Sequence, residues 1–248
     1  MDILGVRIDE FPRMEALQKV KDFLAQNEQK MIFTPNPEMI VEAQKDPYFK
    51  EVLNASSLNI CDGKGIELVS KKKLERIPGV DFLMDICSVA EKEGKTVYLL
   101  GSGSKEVIAE SQERLLKKFP ALRIVGAHPG LLITKKAGEP HRIEYNSEEN
   151  DDLVGEIISL GPDILFVGFG HSKQEKWIYE NLPQLPSVKV AMGVGGSFDY
   201  ISGKIRRAPI LFQKWGLEWL WRLLRQPSRI FRIWNATVKF LFLFRHDT

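Results

Sequence analysis

Residues Asp163-Ile164-Leu165-Phe166-Val167-Gly168-Phe169-Gly170 decide the fold. From Ile164 to Val167 the run is apolar without alternation, and it ends in glycine. A strand exposed on one face would alternate apolar with polar residues. A strand apolar throughout is one covered by helices on both faces. Thr96-Val97-Tyr98-Leu99-Leu100-Gly101 reads the same way. Working outward, further strands are expected near 3–8, 30–34, 57–61, 122–126 and 188–192. Helical patterns fill 12–27, 37–54, 64–72, 79–94, 104–119, 148–160 and 173–182. Such alternation implies βαβ units, and hence an α/β, Rossmann-like, mostly parallel sheet flanked by helices. Residues 127–147 are rich in turn formers and read as an irregular excursion with hairpin character. Beyond Gly203 the pattern changes to amphipathic helices split at Gln226-Pro227. The expected division is therefore an α/β domain over 1–203 and a C-terminal helical appendage over 204–248.

The 248 residues are enough to bury a core without staples. Cys61 and Cys87 lie in no C-x-x-C pattern, so a reducing compartment is the simpler expectation. The N-terminus carries early acids and no long apolar run, unlike a signal peptide, and no stretch of eighteen uncharged apolar residues occurs. The net charge of +2 hides an asymmetry. Residues 204–248 hold ten basic side chains against two acidic ones, leaving the body at −6. Trp215, Trp219, Trp221 and Trp234 lie in the same tail. A basic, Trp-rich end on an acidic body suits an anionic, partly apolar partner, and a membrane surface fits best. Packing of these helices on the body or on a second copy, a homo-oligomer, is the competing reading. A nucleic-acid partner fits poorly, because the Trp/Leu face points to lipid rather than bases.

Ligands of open α/β sheets bind beyond the carboxyl ends of the strands, and four such ends carry unusual residues. After Met31-Ile32-Phe33, Thr34 and Asn36 offer hydrogen-bonding groups, although Asn36-Pro37 is equally a good helix start. Asp62, at the end of Ser57–Cys61, is either a helix cap or a general base. The glycines after it would let a substrate approach the backbone. Gly101-Ser102-Gly103-Ser104 opens a helix whose N–H groups suit a phosphate or ribose. Finally, Gly168–Glu175 and Gly193–Asp199 place Gln174, Gly195 and Asp199 on the same edge. Gln174 would orient a sugar or amide unless it is merely a solvated first-turn residue, and Asp199 would bind a hydroxyl unless it is a turn former. No Asp-x-Asp motif is present and the four histidines show no ligand spacing, so no metal is expected. In the tail Lys214, Glu218, Arg222 and Arg225 recur at spacings that put them on one helical face. Arginines there would neutralise a departing diphosphate in place of a metal.

The stretches TPNPEMIVEAQKD, NICDGKGIELVS, ERIPGVDFL, KQEKWI, MGVGGSFDYISGKIRRAP and LEWLWRLLRQPSRI resemble the WecG/TagA/CpsF glycosyltransferases over nearly the whole chain. The resemblance implies inverting, metal-independent transfer of an N-acetylmannosamine-type sugar from UDP to polyprenyl-diphosphate-linked N-acetylglucosamine. That reaction belongs to wall teichoic acid linkage-unit or related surface polysaccharide synthesis. It also implies a cytoplasmic protein, peripheral on the inner face of the cell membrane. By the same resemblance Asp62 is the catalytic base, and Arg222 and Arg225 complete the site over the diphosphate. Thr34 and Asn36 match the acceptor pocket, and Arg76 and Gln174 match further residues important for activity; Gly101, Ser102, Gly195, Asp199 and Arg207 complete the candidate substrate-binding set. Two departures stand out: His171-Ser172 replaces the usual Ala-Pro or Phe-Pro before Lys-Gln-Glu, and the segment 134–147 is longer than usual. Two alternatives accompany this reading. One is the same chemistry with UDP-ManNAcA, UDP-glucuronate or UDP-glucose as donor. The other is a non-catalytic, membrane-bound nucleotide-sugar binder.

Overall fold

The structure, a computed structural model, describes residues 1–70, 74–225 and 234–247. Six strands form one fully parallel sheet: β3 (Lys30–Phe33), β4 (Leu58–Asn59), β5 (Thr96–Gly101), β6 (Arg123–His128), β9 (Ile164–Gly168) and β10 (Val190–Gly193). Their order across the sheet is β4-β3-β10-β9-β5-β6. The expected α/β fold is thus present.

The apolar strands divide their side chains between two cores. Val97, Leu99, Ile164, Phe166, Val190 and Met192 face one layer. Their alternates Tyr98, Leu100, Leu165, Val167 and Ala191 face the other. The first layer is closed by α1 (Arg13–Ala25), α5 (Gly79–Glu93) and α6 (Lys105–Lys118), through residues such as Val20, Phe82 and Leu115. The second is closed by α2 (Pro37–Ala43), α3 (Pro47–Asn54), α7 (Ser147–Leu160) and α8 (Lys173–Asn181), through Ile40, Phe49, Ile157 and Trp177. Covering both faces is what removes the polar half of each strand pattern.

Several expected elements differ. The single strand near 3–8 is a hairpin of β1 (Asp2–Ile3) and β2 (Val6–Arg7), turned at Leu4-Gly5. The single helix over 37–54 is two, because Asp46 caps a new helix with Pro47 in its first turn. The 127–147 excursion contains an antiparallel hairpin, β7 (Thr134–Lys136) with β8 (Glu139–Glu144). Lys214 and Glu218 do not share one helix. Here α10 (Ile210–Lys214) ends and α11 (Glu218–Arg225) begins after Gly216, whose φ of 71° is a left-handed conformation that stops a helix. The Gln226-Pro227 break lies outside the described residues. The short helix α4 (Lys64–Val69) and α9 (Ser197–Ile201) lie at strand ends. The last helix, α12 (Phe240–Asp247), packs on α2 and α4 and places Phe240 fully inside the second core. Part of the tail therefore packs on the body. No helix among the described residues is long and apolar enough to cross a membrane.

Candidate active site

Because every sheet strand runs the same way, all six carboxyl ends lie along one edge, and all six contribute to a single cavity of about 940 Å³. Thr34 and Asn36 follow β3, Asp62 follows β4, Ser102 follows β5, Leu131 follows β6, Gln174 follows β9 and Gly195 follows β10. Arg76 and Asp199 line it as well.

Asp62 lines the same cavity. Its Oδ2 accepts the N–H of Gly79 at 3.3 Å, at the first residue of the fifteen-residue helix α5. The positive end of the helix dipole favours an anion there. A side chain on Gly79 would sit 3.5 Å from Thr34 Oγ1 and 3.6 Å from Asp62 Oδ2, so the hydroxyl and the carboxylate converge above that glycine. Asp62 does not cap α4; the residue at that cap is Gly63. Asn36 does cap α2, its Oδ1 accepting the Met39 N–H at 3.1 Å, and it also lines the cavity. Helix cap and cavity residue are therefore compatible roles here. The glycines after Asp62 line the cavity and are also required by packing. Cβ atoms on Gly63 and Gly65 would lie 2.7 and 2.8 Å from the Pro37 ring, and the second also 3.6 Å from Phe240.

Gln174 is not a solvated first-turn residue. It is 3% exposed, donates from Nε2 to Glu175 Oε1 at 2.7 Å and accepts the Gly195 N–H at 2.9 Å. It thus fastens the β9 loop to the β10 loop. Glu175, which sequence reasoning passed over, lies fully buried behind it with Oε2 unbonded among the described residues. Burial pushes its carboxyl up to about 7. The native state then holds a proton that the unfolded chain has released, so stability falls as pH rises from the ordinary carboxylate range through about 7. Glu175→Gln keeps the shape and removes the titration. It is expected to flatten this part of the profile, gaining roughly 3 kcal/mol relative to the parent at pH 8. Urea unfolding of both proteins at pH 5, 6, 7 and 8 checks this, and parallel curves would show that Glu175 is ionised throughout.

His171 lies on the cavity wall with Nε2 3.0 Å from Glu42 and 3.8 Å from Glu38. Burial would raise the Glu42 carboxyl, but the bonds from His171 and Ser172 outweigh it and hold the group below its ordinary value. Ser102 and Ser172, at the ends of β5 and β9, have φ of 76° and 68°. Such non-glycine conformations cost about 1–3 kcal/mol each and cluster at functional sites.

Two expected substrate-binding residues sit elsewhere. Gly101 packs against the backbone of Gly168 behind the cavity wall. Arg207 turns to Asp81, which it grips with two bonds, and to Glu218 Oε1 at 3.3 Å. Glu218 in turn accepts from Arg76 at 3.1 Å, and Arg76 also donates to the Gln213 carbonyl at 2.6 Å. Asp81, Arg207, Glu218 and Arg76 therefore alternate in sign and tie α10 and α11 to the start of α5. Arg222 and Arg225 stand on α11, but their side chains lie outside the described part of the structure.

The sequence model of the family described as "Glycosyl transferase WecG/TagA/CpsF family" matches residues 1–247. The chain belongs to this family. Among its relatives is the N-acetylglucosaminyldiphosphoundecaprenol N-acetyl-beta-D-mannosaminyltransferase of Bacillus spizizenii. It is 35% identical over 211 residues, covering 84% of this chain and 76% of the relative. The Staphylococcus aureus protein of the same name is 31% identical over 239 residues, covering 94% and 87%. Like other members, the chain is a glycosyltransferase of the hexosyl-transferring class. The cavity at the sheet's carboxyl edge is where such a fold holds its substrates.

Proposed function

We propose that this glycosyltransferase moves N-acetylmannosamine from UDP to N-acetylglucosamine carried on a polyprenyl diphosphate, with Asp62 as base and no metal. The observation that carries the reading is the placement of Asp62 beside Thr34 and Asn36 in the one cavity built from all six strand ends. In the step, an acceptor hydroxyl oxygen attacks the anomeric carbon of the donor sugar. The bond from that carbon to the β-phosphate oxygen breaks, and UDP leaves with the electron pair. Asp62 takes the hydroxyl proton, and the anomeric configuration inverts. Negative charge grows on the departing diphosphate. Arg222 and Arg225, which the family resemblance assigns to this task, would neutralise it with forks that match phosphate oxygens. Arg76, bridged to Glu218 and Gln213, is a positioning residue that holds α11 against the body.

The wall around His171 bears on donor choice. Glu38 and Glu42 already engage the imidazole, so a uronate carboxylate placed there would meet two acids rather than an unengaged cation. That supports a neutral N-acetylated sugar over UDP-ManNAcA or UDP-glucuronate. The test is a donor panel with purified protein and a lipid-diphosphate N-acetylglucosamine analogue, with UDP release as the readout. UDP-ManNAc is expected to turn over fastest, with chelator present or absent. Faster turnover of a uronic donor would overturn the donor assignment. Binding of UDP-sugars without any UDP release would favour a non-catalytic binder.

A further inference from the structure

Two large apolar side chains stand exposed on the body at the cavity rim. Leu132 is 80% exposed and Leu68, on α4, is 69% exposed, and both line the cavity. They come from opposite edges of the sheet, since Leu68 follows β4 and Leu132 follows β6. The exposure of Leu132 is imposed by its neighbours. Ile133 is buried in the second core, and its carbonyl accepts a bond from Lys173 Nζ at 2.5 Å. That bond and the burial of Ile133 anchor the loop with Leu132 turned outward. Exposed Lys135 and Lys136 lie on β7, the second of them paired with Glu139. On the Leu68 side the rim is continued by Trp215 and Leu241 of the tail, both exposed and both lining the same cavity.

We propose that Leu132 and Leu68 are the body's own bilayer contacts, so that the protein docks with the cavity mouth against the lipid surface on both rims rather than through the tail alone. This rests on the proposed acceptor. A sugar carried on a polyprenyl diphosphate is anchored in a bilayer, so the cavity that receives it must open at the lipid surface. A single apolar rim would leave the far side of the mouth raised in water. Two apolar rims with lysines beside one of them seat the mouth on an anionic surface.

The two native cysteines are buried, so one introduced thiol can be labelled selectively. Leu132→Cys, Leu68→Cys and, as control, Met14→Cys would each carry a polarity-sensitive dye in the full chain. Met14 is equally exposed, at 76%, but lies on α1 away from the cavity. On vesicles containing about one-third anionic lipid, the dyes at 132 and 68 are expected to shift to the blue and be quenched by brominated lipid. The dye at 14 should do neither. Leu132→Glu should weaken vesicle partitioning roughly tenfold, about 1.4 kcal/mol. A dye at 132 that stays in water while the protein sediments with vesicles would overturn the proposal, as would absence of vesicle binding. UDP release measured with a water-soluble acceptor analogue separates this outcome from failure of the proposed reaction, because that assay needs no bilayer.

Discussion

Asp62→Asn lowers turnover by about 10²–10⁴ while leaving donor binding nearly unchanged; this is the expected result of removing a general base without changing its shape. The amide oxygen of asparagine can still accept the Gly79 N–H that Asp62 Oδ2 accepts at 3.3 Å. The approach of Thr34 to the same point above Gly79 is likewise retained. What disappears is the capacity to take a proton from the acceptor hydroxyl. Single-turnover rates with UDP-ManNAc, beside calorimetric titration of the donor, distinguish the cases. Equal turnover in parent and variant would exclude Asp62 as the base. Parallel loss of turnover and donor affinity would instead make it a binding residue. The non-catalytic alternative predicts that the substitution leaves function intact.

The sheet was legible because its strands are buried on both faces. Ile164–Val167 and Thr96–Leu100 carry no polar residue on either side except the threonine at the start, and their shortness, β-branched and aromatic content and closing glycine favour a buried strand over a buried helix. The cavity followed from the same fact: parallel strands put every strand-end motif on one edge, and Thr34, Asn36, Asp62, Ser102, Gln174, Gly195 and Asp199 all line it. The chain hid what depends on contacts distant in sequence. Arg207 belongs to a charge network because Asp81 and Glu218 are folded beside it, and nothing near Arg207 announces that. The burial of Gln174, Glu175 and Lys176 was equally hidden, since three polar residues opening a helix look like a wetted first turn. The one local sign is Trp177-Ile178 immediately after them, an apolar pair that pulls the turn into the core. The break at Gly216 was missed because flanking residues continue a helical period through it.

Lys176 carries the other large effect, on stability. It is 2% exposed, its Nζ lies 2.6 Å from Asp46 Oδ2 and 2.7 Å from the His141 carbonyl, and the rings of Tyr48 and Phe49 flank it. Asp46 is also buried and caps α3 by accepting the Phe49 N–H at 2.9 Å. The ammonium thus joins the α2–α3 junction, α8 and the β7–β8 hairpin. Two residues earlier on α8, Gln174 holds the β10 loop of the cavity, so slackening here reaches the site. Lys176→Met preserves most of the packing volume but leaves a buried carboxylate with only the Phe49 N–H and the half-exposed His141 ring, 3.5 Å away, beside it. Removing one partner of such a pair costs about 3–5 kcal/mol, much of a total stability of about 5–15 kcal/mol. Asp46→Asn combined with Lys176→Met removes the stranded charge and keeps the cap. The double variant should therefore be more stable than Lys176→Met alone, a coupling that a double-mutant cycle in urea reads directly. A single-variant cost below about 1 kcal/mol is the value of an exposed ion pair. It would mean that water reaches the Lys176–Asp46 pair in solution and that the hairpin is not locked to α8 through it.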